Sequence, residues 1–457
     1  MSKLNLLLPF LLSVALLPSC ASNTNQPDTQ SFQGSVGGRL MISTPTTPEK
    51  QAGITAIQQK DYANAKVKLE ESLNAKLDDP EARIYLNNAI ALSGNHFKLA
   101  VVIPGESDIG MSKEILRGVA QSQQETNQNS GVNGNQIVYA IIADNDNVDT
   151  GKEVARSLVN EKEILGVVGH VSSGVTLAAA EIYGSGKLVA ISPISSAVQL
   201  SNKSPYVFRT IPSDAIAGKT LAAHIVKQNR KAAIVFFNSE SEYSKSLKAE
   251  FTNNLTQNNG RVVTEVDIAN PNFSAAQSLE QATKQGADHI FLAANTGTLD
   301  RALQVITANA LRLPIVAGDA LYSPKTLDIS RQQSNGMVIA VPWHILADLS
   351  STFPDRAQKL WKGDVSWRTV TSYDASQALI AGLKQSPTRE GIQQVLSDPK
   401  FEAIGGEQSV KFVPGGDRRS SIQLVTVAPG KRSSYGFDFI PLPNYVKPLP
   451  DASMLPD

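Results

Sequence analysis

Short hydroxyl-bearing and acidic side chains follow four apolar runs of this 457-residue sequence. The residues concerned are Ser172 and Ser173 after Val168, Ser195 and Ser196 after Ile191, Asn295 and Thr296 after Leu292, and Asp319 after Ala317. Hydroxyls and the free amides of a helix N-terminus bind anions such as a carboxylate. The carboxylate of Asp319 suits an ammonium group. Together these groups have the chemistry needed to hold an amino acid.

The same residues also have a structural interpretation. Ser, Asn and Asp are common helix N-caps, where each contributes about 1 kcal/mol. Paired hydroxyls at two adjacent strand ends favour a binding role for Ser173 and Ser196. For Asn295, the cap remains an open alternative.

The elements that must position these side chains alternate between strand and helix from Phe97 onward. Apolar strands separated by amphipathic helices are typical of parallel, doubly wound sheets. Ligands of such sheets bind at the carboxyl ends of the strands. Because there are too many units for one sheet, the sequence predicts an α/β fold with two doubly wound parallel-sheet lobes and a small N-terminal helical segment.

Changes in composition and periodicity divide the chain. We expect a lipoprotein signal peptide at 1–19, a flexible tether at 20–48, tetratricopeptide-like helices at 49–95, a first lobe at 97–212 and 342–430, a second lobe at 213–341, and a C-terminal tail at 431–457. The helices of 49–95 resemble about one and a half tetratricopeptide repeats in their Gly, Asp-Tyr, Ala and Asp-Pro-Glu-Ala order. Such units need neighbours to bury their apolar faces, so they should pack on the next domain or on a partner.

The first twenty residues, "MSKLNLLLPFLLSVALLPSC", have a basic start and a short apolar core. Cys20, the sole cysteine, closes this segment after Leu-x-Ser and resembles the acylated cysteine of a bacterial lipobox. The resemblance implies lipid anchoring at Cys20 and a place in the periplasm or on the cell surface. Ser22 weakly favours the outer membrane where a host has one. An ordinary signal peptide with an incidental cysteine is the alternative.

Several function classes are disfavoured by charge and motif. Lys plus Arg and Asp plus Glu each number 42, which argues against nucleic acid as a partner. The five histidines show no metal-ligand spacing. "GHVSSG" is not a nucleophile elbow, and "YGSGKLV" lacks the first glycine and the hydroxyl of a phosphate loop. We therefore expect no catalysis, no metal and no cofactor.

Three stretches resemble one known family. "GVVGHVSSGVTLAAAEIY", "LVAISPISSAVQLS" and "YVFRTIPSD" are similar to type I periplasmic binding proteins of the leucine/isoleucine/valine-binding branch, the receptors of branched-chain amino acid ABC transporters. The resemblance extends from about residue 98 to residue 429. It implies that Ser173 and Ser196, with main-chain amides near Ile194, hold the ligand α-carboxylate. It further implies that Asp319 receives the ammonium and that Tyr243 lines the site.

The sequence departs from this family pattern around the ligand side chain. Met111 stands near the position where an aromatic residue commonly covers the ligand, and Asn295 and Thr296 stand where tyrosine is frequent. A branched-chain amino acid, a polar amino acid, a peptide or another small carboxylate all remain open. The resemblance implies hinge closure of the lobes and a membrane permease as partner.

A different class of protein also fits parts of the sequence. A lipoprotein with tetratricopeptide-like helices before a binding-protein fold resembles the penicillin-binding-protein activators, which act as regulatory scaffolds. The retained hydroxyl residues favour a solute receptor. Trp343, Trp361 and Trp367 are expected mainly in the core.

Overall fold

The computed structural model describes residues 32–348 and 350–448. The signal peptide, Cys20, the first part of the tether and the end of the tail lie outside the described residues. Within the described ranges, none of the helices combines the length and apolar character needed to cross a membrane.

Three helices form the N-terminal segment. They are α1 (Pro48–Gln58), α2 (Tyr62–Ala75) and α3 (Pro80–Ala91). Lys50 of α1 is fully buried, and its Nζ lies 2.9 Å from carboxylate oxygens of both Asp79 and Glu81. Asp79 also caps α3 by accepting a hydrogen bond from the Ala82 amide. Because a buried charge needs partners, this triad joins the first and third helices.

The N-terminal segment packs on the first lobe. The Asn88 side chain donates to the Tyr139 carbonyl at 2.7 Å and accepts from the Tyr139 amide at 3.0 Å. Ser35 forms an antiparallel bridge with Ile141 in the same strand. These contacts satisfy backbone groups of an edge strand that would otherwise be open.

The first lobe starts with repeated strand-helix units. Its elements are β1 (His96–Ile103), α4 (Ile109–Gln128), β2 (Gln136–Ala143), α5 (Val148–Asn160), β3 (Ile164–Val168), α6 (Ser173–Gly186), β4 (Ala190–Ser192) and β5 (Val207–Arg209). All pairings are parallel, in the order β2-β1-β3-β4-β5.

The second lobe repeats this pattern. Its elements are α7 (Asp214–Lys227), β6 (Ala232–Phe237), α8 (Glu242–Gln257), β7 (Arg261–Asp267), α9 (Ala275–Lys284), β8 (His289–Ala293), α10 (Leu299–Asn309), β9 (Ile315–Ala317), α11 (Pro324–Ser330) and β10 (Val338–Val341). These five strands are parallel to one another. The predicted α/β class with two parallel-sheet lobes is confirmed.

The remaining chain is shared between the lobes. It forms α12 (Phe353–Trp361), α13 (Trp367–Gln385), α14 (Arg389–Leu396), β11 (Gln423–Pro429) and β12 (Phe437–Pro441). The α13 helix packs on α4, and α14 lies beside it in the first lobe. By contrast, β11 pairs antiparallel with β10, and β12 pairs with β11, which extends the second sheet to seven strands.

This pairing differs from the expected boundaries. The sequence assigned 342–430 to the first lobe and 431–457 to a tail, whereas 423–429 and 437–441 are strands of the second sheet. The physical reason is that β10 has an open edge, which the apolar strand Gln423–Pro429 covers. The chain therefore crosses between lobes a third time before residue 423.

Buried ion pairs hold the crossing segments together. Arg209 Nε lies 2.7 Å from Asp417 Oδ1, and Arg418 pairs with Asp374. Arg418 also donates to the Thr210 carbonyl at 3.1 Å. These contacts of Arg209 and Arg418 thus link the first crossing, near Ile211-Pro212, to the third crossing.

Candidate ligand-binding site

A cavity of about 80 Å³ lies between the facing edges of the two lobes. Its lining residues are Met111, Asp146, Val171, Ser172, Ser173, Ile194, Trp367 and Arg368 on the first-lobe side, and Ser241, Tyr243, Asn295, Thr296, Asp319 and Ala320 on the second-lobe side. Eight of the ten cleft residues predicted from sequence are among them. Ser195 and Ser196 are not.

Ser172 and Ser173, the first serine pair, make different contacts. Ser172 is the N-cap of α6, and its hydroxyl accepts from the Val175 amide at 3.4 Å. Ser173 is the first residue of the helix, is 2% exposed, and its hydroxyl accepts from the Ala197 amide at 3.3 Å. The capped N-terminus of α6 therefore reaches the cavity with free amides, which suits an anion.

A chain of buried hydrogen bonds around His170 holds the loop that leads into α6. His170 Nδ1 lies 2.7 Å from Asp144 Oδ2, and its Nε2 lies 2.8 Å from the Tyr183 hydroxyl. The Ser192 hydroxyl donates to the His170 carbonyl at 2.6 Å. Both ring nitrogens of His170 are thus engaged, so the residue positions the loop between β3 and α6.

The second serine pair lies beneath the cavity wall. The Ser195 hydroxyl donates to the Val171 carbonyl at 2.9 Å and lies 2.8 Å from Thr176 Oγ1. Ser196 is 2% exposed, and among the described residues its buried hydroxyl has no hydrogen-bond partner, although its proximity lowers the pKa of Asp214. This placement differs from the prediction because Ser195 joins the two loops, while Ser196 is buried outside the cavity lining.

Asp214 is the buried acid at the start of the second lobe. Burial raises its pKa to about 7, while the hydroxyls of Ser196 and Ser246 moderate the rise and the charge of Asp319 adds to it. Ser246, on α8, accepts from the Val198 amide of the first lobe at 3.0 Å. The lobes are therefore in direct contact beside the cavity.

The second-lobe wall is dominated by one carboxylate. Asp319 Oδ1 accepts a hydrogen bond from the Tyr243 hydroxyl at 2.9 Å. Burial raises the pKa of Asp319 to about 6, against the lowering effects of the Arg368 charge and the Tyr243 hydrogen bond. Burial and the Asp319 charge hold the pKa of Tyr243 well above its usual value. At neutral pH Asp319 is thus mostly ionised and can receive a cation.

The other predicted residues have mixed roles. Asn295 Oδ1 accepts from Asn238 Nδ2 at 2.9 Å and from Thr298 Oγ1 at 2.7 Å, so it organises its own loop as well as lining the cavity. Thr296 is exposed and Met111 is 8% exposed; both line the cavity.

Sequence reasoning missed six lining residues, which are Asp146, Val171, Ser241, Ala320, Trp367 and Arg368. Asp146 follows β2, and the strand-end rule applied to β2 would have found it. Trp367 and Arg368 begin α13, which follows a crossing rather than a strand, so no local signal marked them. All three tryptophans are at most 3% exposed, and Trp367 also lines the cavity.

A larger cavity adjoins the first. Its volume is about 460 Å³, and it shares Met111, Thr296, Ala320 and Arg368 with the smaller one. Among residues 32–348 and 350–448, no cluster of three or more His, Cys, Asp or Glu side chains is arranged to hold a metal ion. The small cavity has the N-terminus of α6 on one wall and the carboxyl of Asp319 on the other, and the carboxyl of Asp146 also lines its first-lobe side.

The comparison with protein families identifies one match. The model described as "Periplasmic binding protein" matches residues 97–428. Among curated relatives, the Leu/Ile/Val-binding protein of Citrobacter freundii is 24% identical over 294 residues, which cover 64% of this chain and 80% of the relative. The leucine-specific-binding protein of Salmonella typhimurium is 23% identical over 284 residues, covering 61% and 76%.

Solved structures share the fold. An ABC transporter substrate-binding protein from Desulfitobacterium hafniense, in complex with Leu, gives a TM-score of 0.65 at 20% identity and covers 76% of this chain and 100% of its own. A solute-binding protein of an ABC transporter from R. palustris, in complex with benzoate, gives 0.65 at 17% identity, covering 76% and 96%. At these identities the similarity establishes the fold alone.

Proposed function

The chain belongs to the periplasmic binding protein family, and from this membership we propose that it is the extracytoplasmic solute-binding component of an ABC transporter for an amino acid or a related small carboxylate. The observation that carries the proposal is the interlobe cavity, where the N-terminus of α6 and Ser173 face Asp319 and Tyr243.

The two walls match the two charges of a zwitterion. The free amides of α6 and the Ser173 hydroxyl would donate to the α-carboxylate, and Asp319 would accept from the α-ammonium. Hydrogen bonds to charged groups contribute about 1.5–3 kcal/mol each. Three or four of them, after the cost of closure, are compatible with micromolar binding at about −8 kcal/mol.

Hinge motion would admit and release the ligand. The lobes are joined by crossings near residues 211–213, 342–346 and 419–422, and changes in their backbone angles would open the cleft. Direct contacts such as Ser246 to Val198 would form on closure. The closed pair of lobes would then present one continuous surface to a membrane permease.

The family also bears on location and on enzymatic activity. Its members named above are binding proteins, and we propose no catalytic step for this chain. An extracytoplasmic place agrees with the signal-like N-terminus, and we propose that Cys20 carries the lipid anchor. Because the curated relatives are named for the amino acids that they bind, they favour transport over the scaffold alternative.

Titration calorimetry of the purified mature protein against the set of L-amino acids tests the proposal. We expect binding in the micromolar range, and we expect the double variant Ser173→Ala, Asp319→Ala to lose it while remaining folded by circular dichroism. Absence of heat with every amino acid and small carboxylate, together with recovery of a cell-wall synthase in a pull-down, would support the scaffold role instead.

A further inference from the structure

The two adjoining cavities indicate how far the ligand extends. A ligand with its α-amino and α-carboxyl groups in the 80 Å³ cavity has little room there for a side chain. The 460 Å³ cavity adjoins it, and the two cavities share the lining residues Met111, Thr296, Ala320 and Arg368. The side chain would therefore pass Arg368 on its way into the larger space.

Arg368 is fixed at this junction. Its guanidinium carbon lies 4.4 Å from the centre of the Trp367 ring, and the residue is 8% exposed. Nη1 donates to the Tyr322 carbonyl at 3.0 Å, and Nη2 donates to the Asp319 carbonyl at 3.3 Å. Among the described residues, its buried Nε has no hydrogen-bond partner. A buried donor without a partner is unfavourable, so a ligand acceptor at this nitrogen would be stabilising.

The charges around Arg368 favour an anionic acceptor. The carboxylate that its charge acts on is Asp319, the proposed ammonium site. When the ligand ammonium occupies Asp319, the counter-charge available to Arg368 falls. The other carboxylates that line the larger cavity are engaged: Asp364 pairs with Arg432 and Glu114 with Arg117, while Asp108 and Asp438 accept from backbone amides.

Lys113 adds a second basic group to the larger cavity. In the part of the chain that the structure describes, it forms no ion pair with any carboxylate. An anionic group that passes Arg368 would thus enter a space with a further basic side chain near its wall. A purely aliphatic side chain would leave both basic groups without a ligand partner.

We infer that the ligand is an α-amino acid whose side chain carries an anionic group, with that group bound by Arg368. This inference rests on the proposed function, because it needs the α-amino and α-carboxyl groups in the small cavity. The identity of the amino acid within the dicarboxylic class is then set by the distance between the α-carbon and Arg368.

Calorimetry with isosteric ligands tests the inference. At neutral pH we expect L-glutamate or L-aspartate to bind at least about tenfold more tightly than L-glutamine, L-asparagine or L-leucine, which is the effect of about 1.4 kcal/mol. In Arg368→Met the preference for the acid over its amide should fall to near unity, and Arg368→Lys should retain part of it. Arg356→Met, an arginine outside both cavities, is the matched control and should leave the preference unchanged.

A structural role of Arg368 alone would weaken acid and amide equally, so the ratio of the two affinities distinguishes the cases. The inference is overturned if wild type binds leucine or an amide more tightly than the acids, which needs no variant. It is also overturned if Arg368→Met is folded and keeps the acid-to-amide ratio. Lack of binding to every amino acid would count against the proposed function as well, whereas leucine binding without preference for acids contradicts only this inference.

Discussion

The two walls of the cleft use different chemistry. On the first lobe, Ser172 and Ser173 present hydroxyls and helix amides, and the buried His170 holds their loop in place. On the second lobe, Asp319 presents a single carboxylate whose pKa is raised by burial. The first wall offers several neutral donors beside the carboxyl of Asp146, whereas the second wall offers the carboxylate of Asp319.

This difference predicts unequal sensitivity to change. Loss of one donor from a set leaves the helix amides in place, so the anion site should be weakened only in part. Loss of the Asp319 carboxylate would leave a buried ammonium without its proposed partner, which is costly.

The largest effect is expected for Asp319→Ala. Removing one partner of a buried charge pair costs about 2–5 kcal/mol, so the dissociation constant should rise by about 30-fold or more. Calorimetry with the best amino acid ligand measures it, and thermal unfolding checks that the variant is folded. A dissociation constant within about threefold of wild type would show that the ammonium is held elsewhere.

Lowering the pH should weaken ligand binding, because it protonates Asp319. The pKa of Asp319 is raised to about 6 in the free protein, and an ammonium needs the ionised form. Affinity should therefore be full above that pH and should fall by up to about tenfold per pH unit below it. Dissociation constants measured from about pH 7.5 to about pH 4.5 test this.

Asp146→Asn provides a control for the acid effect, because Asp146 lines the first-lobe side of the same cavity and burial raises its pKa to about 6 as well. The fall in ligand affinity at low pH should persist in this variant. Constant affinity of the wild type across the range would contradict the assignment of Asp319 as the ammonium site.

A smaller effect is expected for Ser173→Ala. Its hydroxyl is one donor beside the amides of α6, so the loss should be about 1 kcal/mol, or roughly fivefold in the dissociation constant. Ser195→Ala is the matched control, because that hydroxyl contacts Thr176 and the Val171 carbonyl rather than the cavity. Equal losses in the two variants would remove the distinction between the serine pairs.

The smallest effect on affinity is expected for Ser172→Ala. The change removes the N-cap of α6 and should lower the free energy of unfolding by about 1 kcal/mol. A lowered melting temperature with nearly unchanged affinity is the expected pattern, seen by calorimetric scanning and titration. A large loss of affinity without loss of stability would make Ser172 a direct ligand contact.

Local pattern predicted most of the framework. The apolar runs before Ser172 and Asp319 form strands that end at Val168 and Ala317, as expected from the sequence. The placement of Ser173 and Asp319 also followed from sequence, because parallel strands bring their carboxyl ends to one edge of a sheet.

Strand pairing and side-chain contacts were harder to predict from the sequence. Gln423–Pro429 was expected beside the first lobe, yet it pairs with β10, because an apolar strand can join any open edge and its own sequence does not select one. Ser195 and Ser196 looked equivalent to Ser172 and Ser173, but the loop that holds them places the Ser195 hydroxyl against Thr176 and buries Ser196 outside the cavity lining.

The sequence by itself determined the two-lobed α/β class and the strand ends that meet at the cleft, and it predicted an anion site opposite a carboxylate. Only the tertiary structure decided which hydroxyls reach the cavity, how far burial raises the pKa of Asp319, and that Arg368 stands where the two cavities meet. The physical reason is distance along the chain. Periodicity and strand-end chemistry are local properties, whereas burial and the meeting of α13 with the second lobe depend on residues far apart in sequence.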